Sequence, residues 1–175
     1  EAPGGNVPGT SDLTPISEQI KMLKALFPDA SKVGILYCSA ESDSSIQAEL
    51  AREACTELGL EATDFTVSST NEIQTVVESM VGKVDVIFAP TDNTIANGMA
   101  TVSMIATDNG LPVICGESGM VEAGGLATYG IDYYKLGYMA GEMAVDILVN
   151  GKNPAEMPIQ YQPSDEYELT VNEEI

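Results

Sequence analysis

The sequence predicts a doubly wound α/β domain, a mostly parallel sheet flanked by helices. Three observations predict it. Short apolar runs such as Val33 to Cys38 and Val84 to Ala89 have the near-continuous hydrophobicity of strands buried on both faces. Each run is followed by a segment whose apolar residues recur at helical spacing. Strand-helix units then repeat every ~25–30 residues, the spacing of right-handed crossovers that put helices on both faces of a parallel sheet.

Residues 1–13, with Pro3, Gly4, Gly5, Pro8 and Gly9, read as a linker without regular structure. Thr14 is placed to cap a helix with Pro15 at its first position, and Ile16, Ile20, Leu23 and Phe27 share one face until Pro28. Lys32 to Cys38 is the first strand, and the polar loop Ser39 to Asp43 follows. Asp43 or Ser44 is expected to cap a helix burying Ile46, Leu50, Ala54 and Leu58, with Gly59 as its stop. Glu61 to Val67 alternates as a second strand, and Ser69 or Thr70 caps a helix running to Met80.

Val84 to Ala89 is the next strand, Thr94 to Asn109 a helix and Pro112 to Cys115 a strand. Leu126 to Ile131 adds a strand and Tyr133 to Val149 a helix, which Gly151 and Pro154 end. A final strand is expected around Ile159 to Gln162, for about five or six strands in all.

Seven Lys and Arg stand against 27 Asp and Glu, a net charge of −20, which repels phosphate backbones and excludes nucleic acid as an expected partner. The acid is otherwise read as solvated surface. No apolar stretch reaches the roughly 18 residues that a membrane span needs. There is no His, so no Ser-His-Asp triad or Cys-His pair can form, and Cys38, Cys55 and Cys115 lack metal-ligand spacing and read as small buried hydrophobes. Gly116-x-x-Gly119 and Gly124-Gly125 lack the lysine and spacing of phosphate loops, and no acidic loop has calcium-site spacing. No cofactor, metal or catalytic residue is expected.

In open parallel sheets, ligands bind beyond the carboxyl ends of the strands, where loops and helix N-termini converge. This rule selects Ser39 to Asp43, Thr91-Asp92-Asn93, Gly116-Glu117-Ser118 and Asp132-Tyr133. Asp, Asn, Ser and Thr also cap helices, and capping alone suffices for Asp43, Ser44, Ser69 and Thr70. In Pro90-Thr-Asp-Asn-Thr94, Thr94 could cap, leaving Asp92 and Asn93 in excess, and spacing alone leaves cap and binding turn equally open. Glu117 and Asp132 add carboxylates at strand ends. Carboxylates and amides with few cations suit a ligand that carries an ammonium group.

Five stretches in one order resemble the ABC-transporter substrate-binding proteins whose characterised members bind tryptophan, phenylalanine or tyrosine. They are Pro3-Gly-Gly-Asn-Val7 with Gly9-Thr-Ser-Asp12, Val33-Gly-Ile-Leu-Tyr37, Val84-Asp85 with Pro90-Thr-Asp-Asn-Thr94, Val121-Glu-Ala-Gly-Gly-Leu-Ala127, and Gly130-Ile-Asp-Tyr133 with Leu136-Gly137. The resemblance implies one lobe of a periplasmic-binding-protein type I fold in which two lobes close on a small ligand. It implies an interlobe crossover at 1–13, the C-terminal lobe at 14–132, and a crossover helix with terminal strand at 133–175. The first lobe is then expected upstream, and the apolar face of the last helix (Leu136, Met139, Met143, Ile147) to pack on that lobe or, without it, on a second copy.

By the same resemblance, Thr91, Asp92 and Asn93 face the cleft; from strand-end position and charge, Asp92 is then expected to receive the ligand's ammonium and Asn93 to exchange hydrogen bonds. Asp132 lies at the hinge, and Glu41 and Glu117-Ser118 line the rim. The implied function is the extracytoplasmic, lipid-anchored solute-binding component of an importer, delivering an amino acid to permease subunits without covalent chemistry. The alternatives are the effector-sensing domain of a LacI-type regulator, a flavodoxin-like phosphoacceptor or enzyme domain, and, within the binding class, a sugar-binding protein. The last is disfavoured by the absence of Trp and the three Phe.

Overall fold

The computed structural model describes residues 2–175. Its contacts divide them into two compact units. The larger comprises residues 14–130 and 169–175, the smaller residues 2–13 and 131–168.

The larger unit is built on the sheet. Helix α1 (Ile16–Leu26) leads into β1 (Lys32–Cys38), α2 (Ser42–Glu57), β2 (Glu61–Val67), α3 (Ile73–Met80) and β3 (Val86–Ala89). Then come α4 (Asn93–Asn97), α5 (Met99–Asp108), β4 (Val113–Cys115), α6 (Ser118–Glu122) and β5 (Ala127–Gly130). Strand β6 (Glu168–Val171) completes a six-stranded sheet of order β2-β1-β3-β4-β5-β6. The pairings β1–β2, β1–β3, β3–β4 and β4–β5 are all parallel.

Alternation along each strand sorts the core into two layers. Val33, Ile35 and Tyr37 of β1, with Val86 and Phe88 of β3, meet Ile16, Ile20 and Leu23 of α1 and the alanines of α2. Leu36, Cys38, Ile87 and Ala89 point the other way, onto Ile73, Val77 and Met80 of α3 and Met99 and Val102 of α5. Each fully buried Phe, Leu or Ile stabilises the fold by about 1.5–3 kcal/mol relative to exposure, so the layers define which strand face each loop leaves from. All three cysteines are free and buried within these layers.

Several elements depart from expectation. The run Thr94 to Asn109 is two helices that meet at Gly98, which is the last cap of one and the first cap of the next, and an added Cβ there would meet the Ile73 side chain. Helix α1 begins after Pro15, and Thr14 is buried without a capping bond. No side chain caps α2, whose N-cap position is Glu41, and its buried face carries Gln47, Ala48, Ala51, Ala54 and Cys55 while Ile46 is exposed. Small alanines there let α2 approach the sheet closely. Neither Ser69 nor Thr70 caps α3; a 3-10 turn over Thr70–Glu72 precedes it. Helix α6 was not expected at all, since five residues are too few to show a period.

The smaller unit centres on α7 (Tyr133–Leu148). Residues 159–162 do not form the expected strand: Gln160 makes only an isolated parallel bridge to Thr10, and the strand lies later, at β6. Residues 9–11 are thereby ordered, with the Ser11 N–H donating to the Gln160 carbonyl at 2.8 Å and the Gln160 N–H to that of Gly9 at 3.0 Å. Gln162 is buried; its Oε1 accepts the Asp132 N–H at 2.7 Å and its Nε2 donates to the Glu166 carbonyl at 2.7 Å. On α7, Leu136 and Met143 are buried, whereas Tyr134, Tyr138 and Leu148 are exposed.

Candidate binding rim at the strand ends

The chain turns at the carboxyl ends of β1, β3 and β4 lie on one edge of the parallel sheet, and polar side chains tie them together. Pro90 to Asp92 follows β3. Asp92 is 5% exposed and its two carboxylate oxygens are divided. Oδ1 accepts the Ile95 N–H at 2.8 Å and caps α4; Oδ2 accepts the Cys38 N–H at 2.6 Å, at the end of β1. The cap is therefore Asp92 and not Thr94. A carboxylate satisfies the free amides of a first helical turn better than a hydroxyl, because it carries charge and two acceptors.

Thr94 has a different task. Its hydroxyl donates to Glu41 Oε1 at 2.7 Å and its N–H to the same oxygen at 3.0 Å. The Asn93 N–H and Nδ2 donate to Glu41 Oε2 at 3.1 and 3.2 Å. Glu41, in the loop after β1, thus grips the first residues of α4. Burial alone would raise its pKa, but these four hydrogen bonds outweigh that and hold the carboxyl below its ordinary range.

Thr91 is held from α2. The buried Gln47 side chain donates from Nε2 to the Thr91 carbonyl at 3.2 Å, while its Oε1 accepts the Thr91 hydroxyl at 2.8 Å and N–H at 3.3 Å. Ser44 Oγ donates to the same carbonyl at 3.4 Å. Glu41, Ser44 and Gln47 follow one another at intervals of three, so one stripe of α2 and its N-cap holds Thr91, Asn93 and Thr94 of this turn.

The turn after β4 abuts this one. A Cβ on Gly116 would lie 2.3 Å from the Thr91 nitrogen and 2.6 Å from the Pro90 carbonyl carbon, so only glycine allows the two turns to touch. Glu117 caps α6, its Oε2 accepting the Gly119 N–H at 3.1 Å, and both it and Ser118 are partly exposed. Asn93 is exposed. Asp132 belongs to the smaller unit, where its Oδ1 caps α7 by accepting the Tyr134 and Lys135 N–H groups at 2.8 and 3.1 Å.

Six of the seven expected residues, Glu41, Thr91, Asp92, Asn93, Glu117 and Ser118, thus occupy one strand-end rim of the larger unit. Gln47 and Ser44 were missed. Both are polar residues on a buried helix face, and that mismatch with the expected apolar stripe was the available signal. Among the described residues no group of three His, Cys, Asp or Glu side chains could hold a metal ion, and no helix is long and apolar enough to cross a membrane.

A sequence model of the family described as "ABC transporter substrate binding protein" matches residues 1–175. The chain belongs to that family. It is 40% identical over 174 residues to a tyrosine-binding protein of Clostridioides difficile (strain R20291), covering 99% of this chain and 50% of that protein. The ABC domain from Streptococcus pneumoniae solved in complex with L-Trp is 39% identical, with a TM-score of 0.89 over 99% of this chain and 58% of its own. A ligand-free, open substrate-binding protein with adhesive properties from Clostridium difficile is 42% identical, with a TM-score of 0.79 and the same coverage. The fold is that of a periplasmic-binding-protein type I lobe. The chain spans about half the length of the curated relative it matches.

Proposed function

We propose that this chain forms one lobe of an extracytoplasmic solute-binding component of an ABC importer, taking an amino acid with an aromatic side chain in a cleft between two lobes. The similarity to a tyrosine-binding protein and to a structure holding L-Trp, each across 99% of the chain, carries this reading. The chemistry of the rim supports it: carboxylate and amide oxygens on a preformed turn, in a chain with seven basic residues, suit an ammonium group.

Within this reading the residues divide by how much of each is already engaged. Asn93, Glu117 and Ser118, exposed or partly so, meet the ligand's polar end. Asp92, buried with one hydrogen bond to each oxygen, positions the turn and keeps a further lone pair on each oxygen for the ligand's ammonium. Thr91 and Glu41 shape the rim, and Asp132 acts at the hinge. Binding shifts an open–closed equilibrium that permease subunits sense, with no covalent step. The full-length protein is lipid-anchored outside the cytoplasm. Its other lobe, or in the 175-residue chain alone a second copy, covers α7 on the face of Tyr134, Tyr138 and Leu148 and not on the expected face of Leu136, Met139, Met143 and Ile147, where Leu136 and Met143 are already buried and Met139 and Ile147 half-buried.

A thermal-shift panel of amino acids and sugars on the full-length protein tests the reading. Stabilisation by L-tyrosine or L-tryptophan is expected. Stabilisation by sugars alone would overturn it.

A further inference from the structure

Gln19 lies on α1, fully buried, and its side-chain amide reaches two strands at once. Nε2 donates to the Gly116 carbonyl at 3.0 Å and to the Tyr129 carbonyl at 2.8 Å. Strands β4 and β5 share a single registered pair, Ile114 with Ala127, so beyond it their ends have no ladder of their own. The glutamine supplies the missing cross-link. It does so at a cost, since Gln19 Oε1 is buried without a hydrogen-bond partner among the described residues. A side chain serving only to fill the core would be apolar there, as Ile16, Ile20 and Leu23 on the same helix are.

The two carbonyls have different continuations. Gly116 leads into Glu117 and Ser118, and its backbone is wedged against Thr91 with no room for a methyl group. Its N–H also donates to the Ala89 carbonyl at 2.7 Å, at the end of β3. Tyr129 stands two residues before Ile131, where the chain passes into the smaller unit, and α1 itself starts just after the chain has left that unit at Leu13. One amide therefore joins the turns of the rim to a segment at the passage between units.

We propose that Gln19 is a positioning residue that makes the rim turn after β4 and the exit of β5 move as one body. This rests on the binding function proposed above for its consequence, which is that ligand contact at Glu117 and Ser118 is transmitted to the chain crossover. It does not rest on that function for the link itself.

Hydrogen exchange on the 175-residue chain tests the link without any ligand. In Gln19→Met, similar in length but unable to donate, peptides covering residues 116–119 and 129–132 are expected to exchange at least about tenfold faster, together, while β1 is unchanged. Gln19→Asn, too short to span both carbonyls, is expected to give the same pattern. Acceleration of only one segment, a uniform rise over the whole chain, or loss of cooperative folding in both variants would overturn the proposal. In the full-length protein, Gln19→Met is also expected to weaken L-tyrosine or L-tryptophan binding by about tenfold. A wild-type protein that binds neither amino acid would defeat the functional reading, while the exchange pattern still decides the link.

Discussion

Asp92 Oδ2 accepts the Cys38 backbone N–H at 2.6 Å, joining the turn after β3 to the end of β1. The same carboxylate caps α4 through its other oxygen. A single buried side chain thus sets both where α4 starts and how far it stands from the neighbouring strand. The consequences of these contacts can be measured one residue at a time.

Replacing Asp92 removes a helix cap and a charge-assisted hydrogen bond together. Asp92→Ala is expected to lower unfolding stability by about 2–4 kcal/mol, with Asp92→Asn intermediate because its Oδ1 can still cap. Urea denaturation of the three proteins checks the order; a loss below about 0.5 kcal/mol for alanine would show that the carboxylate is not holding the turn.

Asn93 should behave in the opposite way. It is exposed, so Asn93→Ala is expected to change stability by less than about 1 kcal/mol. In the full-length protein the same change should remove most of the ligand-induced rise in Tm. Undiminished stabilisation by L-tyrosine and L-tryptophan would place the ligand elsewhere.

Glu41 gives the rim an acid sensitivity of defined sign. Its folded-state pKa lies below the ordinary 4.5, so the unfolded chain binds the proton more readily. The stabilisation is fully present above that ordinary value and is lost as pH falls through the lowered folded one. Glu41→Gln should therefore flatten the acid limb of a stability-versus-pH curve relative to wild type. Parallel curves would mean that the four bonds contribute nothing. Asp85, lowered by the N–H groups of Ser31 and Lys32, contributes in the same direction and remains in both proteins.

Glycines at two places should respond oppositely to an added methyl. Gly116→Ala forces backbone against backbone and is expected to cost about 3 kcal/mol. Gly137→Ala, within α7 and with nothing within 4 Å of its Cβ, should stabilise the chain by about 0.5–1 kcal/mol. Melting curves of both variants distinguish the cases, and equal effects would refute the packing argument at Gly116.

Size-exclusion chromatography addresses the face of α7 that carries Tyr134, Tyr138 and Leu148. The isolated chain is expected to elute as a dimer. A monomer with full helix content would show that this face tolerates water without a second copy.

The strand runs of the larger unit up to β5 were legible because burial on both faces leaves an almost unbroken apolar signature, clearest in β1 and β3. The rim loops followed from the strand-end rule. What escaped was tertiary. Gly98 separates two helices at a place where the Ile73 side chain lies against it, and Gln19 and Gln47 are polar on buried faces because they bond to distant backbone. Asp92 outcompetes Thr94 as a cap partly because Cys38 offers it a second donor from another strand. Residues 159–162 alternate like a strand, yet only Gln160 finds a bridging partner.

The placement of β6 bears on how the chain is made. Its neighbour in the sheet, β5, is followed by residues 131–168 before β6 emerges, and the Asn172 N–H then donates to the Leu126 carbonyl at 2.8 Å. During synthesis β5 is an unprotected edge for that whole interval, open to pairing with other nascent chains. Premature termination between Asp132 and Glu168 should therefore yield released products prone to edge-to-edge aggregation, even though the rim residues of the larger unit have all been made.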